Sequence, residues 1–386
     1  MSEAYFVSNL FFGYNHELFA GGMEIHLKNI VELVCKHGFH STILQRWYKN
    51  ELIYRDESLK VQGVKIPFYL YNLIWKKKVQ GKPKIIHLND IVFSFPNADN
   101  KTSVTFHGVS WDIPINNIPT EWALERFLIP KALFVRHYYI MNTRYAIKRC
   151  KKILSVDNSL LYLTQHELPQ YRDKIKTIPN FVDINKFYPT NSTKSKFGLS
   201  TNDFVVLYPR NISLARGYFL LFDIIKKIAK RRMNVKFLIV GGKLKELGKY
   251  KYFTFLYSKI NKEKLMDYVR FMGSIPHDKM NDVFNAADIV IIPTFFGEGS
   301  SLAALEAMAC QKTIIASNIG GLNDIIIDGY NGFLIPPHAE LFVSKILYLK
   351  DNKEVLKYTS RNALRLAREV YNKKRWEKQV LDFFEI

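Results

Sequence analysis

The sequence predicts an α/β protein built as two doubly wound, parallel-sheet halves of similar size, and three observations carry that prediction. The chain has 386 residues, more than one average domain. Short apolar or β-branched runs alternate with helical patterns along its whole length, as βαβ units require. One polar, turn-rich stretch, Tyr188-Pro189-Thr190-Asn191-Ser192-Thr193-Lys194, separates two sets of such runs.

In chain order, the first set of expected strands is Tyr5–Val7, Thr42–Leu44, Ile85–Leu88, Ser103–Phe106, Lys152–Val156 and Ile175–Ile178. The second is Phe204–Tyr208, Val235–Val240, Tyr268–Met272, Ile289–Pro293, Thr313–Ala316 and Gly332–Ile335. Each run is too short for a helix and is flanked by turn residues. The expected domains are therefore Rossmann-like: residues 1–188 and 200–369, with a closing segment, 370–386. In open α/β sheets ligands bind beyond the carboxyl ends of the strands, so two such halves facing each other would place a site in the cleft between them. The closing segment reads as an amphipathic helix with Trp376, Val380, Leu381, Phe383 and Phe384 on its apolar side.

Composition narrows the function classes. Hydrophobic residues make up 48% and charged residues 24%, which excludes bulk disorder and a multi-span membrane protein. The start, Met1-Ser2-Glu3-Ala4-Tyr5-Phe6-Val7, has no secretory pattern and reads as a first core strand, so a cytoplasmic location is expected. Cys35, Cys150 and Cys310 lack metal-ligand spacing and are expected to be small buried thiols. The balance of 56 Lys plus Arg against 35 Asp plus Glu gives +21, shared by both halves. Such a body favours anionic partners without choosing among phosphorylated substrates, an anionic membrane and nucleic acid.

The most informative stretch runs from Ile289 to Pro337. A buried-looking strand leads through Thr294-Phe295-Phe296-Gly297-Glu298-Gly299-Ser300-Ser301 into the helix Leu302-Ala303-Ala304-Leu305-Glu306-Ala307-Met308-Ala309. Unpaired N–H groups at such a helix start, with its dipole, suit a phosphate or sugar oxygen. By spacing alone, Glu298 reads equally as a loop charge, Glu306 as part of a solvated helix face and Ser301 as an ordinary N-cap.

Further residues resolve that ambiguity. Glu298 to Glu306, then Gly320-Gly321-Leu322-Asn323-Asp324-Ile325-Ile326 and Asp328-Gly329-Tyr330-Asn331-Gly332-Phe333-Leu334, resemble the donor-binding region of the retaining, two-Rossmann-domain (GT-B) glycosyltransferases of family four. Gly21-Gly22-Met23-Glu24, Phe106-His107-Gly108 and Ile178-Pro179-Asn180-Phe181-Val182-Asp183 match in the same order, so the resemblance spans nearly the whole chain.

The resemblance implies a sugar-nucleotide donor, UDP- or GDP-linked, whose nucleoside diphosphate leaves from an oxocarbenium-like transition state. Arg210 and Arg216, with Gly217 following, match the family's paired cations, and guanidinium forks suit diphosphate oxygens. Arg216 stands where many relatives carry lysine. Gly22 would admit backbone N–H groups to the donor, because a side chain there would obstruct them. Glu298 by analogy contacts the transferred sugar and Glu306 the ribose. Gly299, Ser300, Ser301 and Leu302 offer backbone donors, and His107 is placed near the donor sugar. No protein nucleophile is assigned. Gln311-Lys312 departs from the family's glycine, small residue and proline, which puts the turn after the helix in question. No Asp-x-Asp or His/Asp cluster is positioned for a metal, so no metal or other cofactor is expected. The closing helix is expected to cross back onto the first domain, with that crossing and the 188–200 linker as hinges.

The acceptor is expected to be a glycan or lipid-linked hydroxyl in cell-envelope polysaccharide or glycolipid synthesis. From Arg126 to Lys152 there are eight Lys or Arg residues and no acid, interleaved with Phe127, Leu133, Phe134, Tyr138, Tyr139, Ile140 and Tyr145. Arg144, Lys148 and Lys151 fall on one expected stripe, and Trp75-Lys76-Lys77-Lys78 adds to it. This suggests peripheral docking of 126–152 on an anionic membrane, with a solvated basic face as the competing reading. Gly13-Tyr14-Asn15-His16 and Val109–Ile118 are expected to shape the acceptor side. A nucleotide-sugar epimerase of the same architecture is the alternative enzyme. A nucleic-acid-binding protein lacks any helix-turn-helix, finger or RNA-recognition signature, and no nucleic-acid partner is expected.

Overall fold

The computed structural model describes the chain except residues 1, 9–21, 48, 66–67, 109–128, 192–193 and 242–250, and except the side chains of 68–72 and 129–135. Gly21, the 13–16 segment, the 109–118 loop, Ser192-Thr193 and Arg126-Phe127 thus lie outside the described residues, as do the side chains of Lys131, Leu133 and Phe134.

Among the described residues the strands form two sheets. The first holds β1 (Ser2–Ser8), β2 (Phe39–Trp47), β3 (Glu51–Arg55), β4 (Leu59–Lys65), β5 (Ile85–Leu88), β6 (Thr102–Phe106), β7 (Lys152–Ser155) and β8 (Ile175–Thr177), in the order β3-β4-β2-β1-β5-β6-β7-β8. Every pairing is parallel except the edge pair β3–β4. The second holds β9 (Phe204–Pro209), β10 (Val235–Val240), β11 (Val269–Gly273), β12 (Ile289–Ile292), β13 (Thr313–Ser317) and β14 (Gly332–Ile335), in the order β11-β10-β9-β12-β13-β14. The twelve expected strands are all present with ends shifted by at most two or three residues. The sequence reading missed β3 and β4. Only Ile53 of β3 is buried, and β4 carries a strand-disfavouring glycine at Gly63, where Trp47 lies so close that a Cβ would come within 2.8 Å of the ring.

The described residues of 1–180 together with 374–386 form one compact unit, and 181–373 form the other. In the second sheet, alternation along each strand builds two cores. Val206, Tyr208, Phe237 and Ile239 face one helical layer, whereas Val205, Leu207, Leu238 and Val240 face the other. The helix Tyr218–Lys230 buries eight side chains in the first core, each stabilising by about 1.5–3 kcal/mol. In this sheet the strand order reverses between β9 and β12, which pair through Ile289–Val206 and Val290–Leu207. The loops leaving their carboxyl ends therefore diverge and leave room for a ligand.

The closing helix spans Lys373–Phe384. Trp376, Val380, Phe383 and Phe384 are buried, and Leu381 is half-buried. Trp376 stands edge-on to His26, and Phe383 and Phe384 stand edge-on to His87, so the helix is part of the first unit's packing. No helix among the described residues is long and apolar enough to cross a membrane.

The basic segment differs from its expectation. Its helix is Ile129–Arg149, so Lys151 lies beyond the end and pairs with Glu385 at 3.0 Å instead of continuing the stripe. Tyr138, Tyr139 and Tyr145 pack against the core, and Trp75 is wholly buried with its Nε1 donating to the Phe93 carbonyl at 3.1 Å. The rings of Tyr138, Tyr139 and Tyr145 are thus half-buried against the core while Arg136, Arg144 and Lys148 remain exposed. All three cysteines are free thiols; Cys150 and Cys310 are buried and Cys35 is partly so.

Candidate active site

The second unit's candidate residues meet at the strand reversal. Arg210 follows β9, and Glu298 lies in the loop after β12. Arg210 Nη1 donates to Glu298 Oε2 at 2.6 Å and to Thr294 Oγ1 at 3.2 Å. Arg216 Nη1 donates to the same Oε2, and the Thr294 hydroxyl donates to it at 3.0 Å. One carboxylate oxygen therefore gathers two guanidiniums and a hydroxyl. Glu298 is only 3% exposed. Burial alone would raise its pKa, but the attraction of Arg210 and Arg216 with these hydrogen bonds outweighs it, and the carboxyl is held below its ordinary value. Burial, then repulsion from Arg210, pushes Arg216 below the usual arginine value.

Backbone contacts fix this arrangement. Gly217 has φ +70°, and a Cβ there would lie 1.8 Å from the Pro293 carbonyl oxygen, so only glycine lets the 210–217 loop close onto the 293–298 loop. Phe295 N donates to Ala215 O at 2.8 Å across that contact. Tyr208, buried beneath, donates its hydroxyl to the Arg216 carbonyl at 3.1 Å. On the other side Gly321 N donates to Glu298 O at 3.0 Å. A Cβ on Gly320 would come within 2.0 Å of the same oxygen. Gly217 and the pair Gly320-Gly321, all singled out in the sequence, thus clamp the Glu298 loop.

The helix Leu302–Ala309 begins at Ser301, whose side chain makes no capping bond. The Ser301 hydroxyl is buried with no hydrogen-bond partner, so it is not the ordinary N-cap that spacing alone allowed. The helix's first N–H groups carry no intrahelical partner. Glu306, far from a solvated face, is 9% exposed, and its Oε1 lies 2.7 Å from His277 Nε2. Burial raises the Glu306 pKa, while the hydrogen bond to Glu306 raises that of His277. Phe187 stands edge-on to the His277 ring with centroids 5.2 Å apart. After this helix the chain turns with Gln311 at φ +57°; Gln311 N donates to Met308 O at 3.0 Å and Lys312 N to Ala307 O at 2.9 Å. The turn that the unusual Gln-Lys pair put in question therefore forms as a Schellman cap, with glutamine where glycine is the relaxed choice.

In the first unit His107 directly follows β6. Its Nε2–H donates to the Asn89 carbonyl at 2.7 Å, which fixes the neutral tautomer with Nδ1 as acceptor. Burial, then the neighbouring His26, holds it well below the ordinary histidine value. Gly22 is exposed and opens the helix Gly22–Lys36. Four residues on, buried His26 hydrogen-bonds Asn180 at 2.9 Å and stands edge-on to His107.

Thr294, Tyr208 and His277 were not anticipated. Thr294 had a positional signal, at a strand's carboxyl end four residues before Glu298. His277 had none, because the fold brings it to Glu306 from 29 residues away. Among the described residues no group of three His, Cys, Asp or Glu side chains is arranged to hold a metal ion.

Comparison with known proteins accounts for both halves. The profile of the glycosyl transferases group 1 matches residues 190–365, and that of glycosyltransferase family 4 matches residues 20–186. An uncharacterized glycosyltransferase of Methanocaldococcus jannaschii is 26% identical over 379 residues, covering 94% of this chain and 93% of its own. Sucrose-phosphate synthase from Thermosynechococcus elongatus superposes with a TM-score of 0.81 at 18% identity, covering 100% of this chain and 98% of its own. The Anabaena protein HepE, solved in complex with UDP, gives 0.73 at 19% identity with complete coverage of both chains. At such identities these structures establish the fold, which is GT-B, as the sequence predicted.

Proposed function

The chain belongs to the glycosyl transferases group 1 and glycosyltransferase family 4, and from that membership we propose that it is a retaining, metal-independent hexosyltransferase. The proposed donor is a UDP- or GDP-linked sugar, and the acceptor a hydroxyl of a glycan or lipid-linked saccharide. The observation that carries this reading is the convergence of Arg210 and Arg216 on one oxygen of Glu298 at the β9/β12 reversal.

Two fixed guanidiniums beside a helix start suit a leaving diphosphate, whose developing charge they stabilise without rearranging. A diphosphate competes with Glu298 for those cations. The carboxylate freed from them is then available to a sugar hydroxyl, and Glu306 to the ribose diol. In the proposed reaction the acceptor oxygen bonds to the anomeric carbon on the face from which the diphosphate departs. The acceptor's proton passes to a leaving phosphate oxygen, so no side chain needs to form a covalent intermediate. His107 and Gly22 remain the first unit's contributors to the same reaction. The exposed cations of Arg136, Arg144 and Lys148 support a peripheral location on an anionic cytoplasmic membrane face, as envelope polysaccharide or glycolipid synthesis would need.

The test is calorimetry of the purified protein with UDP, GDP and ADP and their common sugars, with and without EDTA, followed by NMR of the product's anomeric centre. Selective nucleotide binding that survives EDTA, and a product with the donor's configuration, are expected. Loss of binding in EDTA or an inverted product overturns the reading.

A further inference from the structure

The first unit holds a second cationic site at the opposite end of its sheet. Asp99 precedes β6, Arg149 precedes β7, and Lys174 immediately precedes β8, so these residues gather at the amino ends of strands whose carboxyl ends lead to His107 and Asp157. Together with Lys76, Lys148 and Tyr145 they line a cavity of 540 Å³.

The charges in its wall are unequally spent. Asp99 is its one acid, 2.6 Å from Lys76 Nζ, and its other oxygen already accepts from Lys101 N at 3.0 Å and Thr102 Oγ1 at 2.9 Å. Lys174 Nζ donates to the carbonyls of Ile147, Lys148 and Cys150 at 3.3, 3.1 and 3.0 Å, offsetting the negative end of the helix Ile129–Arg149. Lys148 and Arg149 are exposed and enter no ion pair among the described residues. Arg149 stands over the Tyr145 ring at 6.0 Å, and the Tyr145 hydroxyl is anchored on the Pro96 carbonyl at 2.6 Å. A guanidinium over an aromatic ring and an exposed ammonium, on a wall whose one acid is already paired, have the chemistry to receive a multiply charged oxyanion. Since a liquid water occupies about 30 Å³, the cavity admits an organic group along with the oxyanion.

We infer that this cavity binds a phosphate ester through Lys148 and Arg149, at a site separate from the strand ends where the donor is proposed to bind. A membrane lipid headgroup and a soluble sugar or glycerol phosphate present the same chemistry, and the experiment separates them. With UDP present at saturation, glycerol 3-phosphate is titrated by calorimetry, and co-sedimentation is measured with vesicles of phosphatidylcholine alone or with phosphatidic acid. The double variant Lys148→Glu/Arg149→Glu is compared with Lys353→Glu/Lys357→Glu, which changes net charge equally on exposed lysines of the second unit, outside the cavity. Should the first unfold early in a thermal scan, Lys148→Gln/Arg149→Gln replaces it. The cavity variant is expected to lose about tenfold in affinity, while the control stays near wild type. Glycerol 3-phosphate binding assigns a soluble ester, and binding to phosphatidic acid vesicles alone assigns a headgroup. Equal loss in both variants, or no binding to either probe, overturns the inference. UDP failing to bind would bear on the proposed donor site alone, because the variant comparison reads out without it.

Discussion

Arg210 and Arg216 hold Glu298 by the same oxygen, Oε2, from positions 88 and 82 residues away in the chain. The carboxylate is the sole acid between two guanidiniums in these contacts, so removing its charge separates binding from chemistry. Glu298→Gln is expected to bind UDP more tightly, since both cations are released, yet to lower turnover at saturating donor by about 100-fold. Its thermal unfolding is expected to reveal a loss of about 3 kcal/mol, because Arg210, whose side chain is 11% exposed, loses its ion pair. Calorimetry, steady-state kinetics and a melting scan check the three parts; unchanged turnover would remove Glu298 from the reaction.

The Glu306–His277 pair sets a pH dependence. Both groups have folded pKa values raised above their ordinary 4.5 and 6.5. The folded state therefore holds protons that the unfolded chain has released, and stability falls as pH rises. For His277 the contribution is complete below 6.5 and is lost as pH passes through its raised value. Thermal unfolding from about pH 6 to about pH 9 should show wild type losing stability across this window. His277→Phe should be flatter there, and equal slopes would show that the pair does not titrate.

Gln311 occupies a left-handed conformation that glycine adopts without strain. Gln311→Gly should raise stability by about 1 kcal/mol, read as a higher melting temperature, with the nucleotide affinity unmoved. A lower melting temperature would mean that the glutamine side chain contributes more than its backbone conformation loses.

Trp376 is 3% exposed on the closing helix. Trp376→Ala should cost about 3–5 kcal/mol, measured by urea unfolding. A loss below 1 kcal/mol, roughly the scale of a surface change, would show that the helix is peripheral to the first unit's stability.

Much of this fold was legible because buried parallel strands carry their signal locally. Ile289-Val290-Ile291-Ile292 is apolar on both faces and needs no context. The edge pair β3–β4 was not legible, since strands half in solvent share their composition with loops. For the site, Glu298, Arg210 and Arg216 were readable as motif residues, but their common oxygen was not, because it depends on two loops closing over Gly217. His277 and the packing of half-buried Tyr138 and Tyr139 against the core were equally hidden. Each follows from where a distant element packs and not from its neighbours in sequence.

The passage of the chain through its two units has a consequence for synthesis. The chain leaves the first unit after Asn180 and re-enters it at Lys374, and Val182 N donates to the Tyr371 carbonyl at 2.9 Å, so the ends of the intervening segment meet. The second unit is thus an insertion closed on itself, able to complete its own sheet as soon as it has emerged from the ribosome. The first unit, begun earlier, waits for Trp376, Val380, Phe383 and Phe384. A nascent chain stalled before residue 374 would display a finished second unit beside an unfinished first one, inverting the usual order in which what is made first folds first.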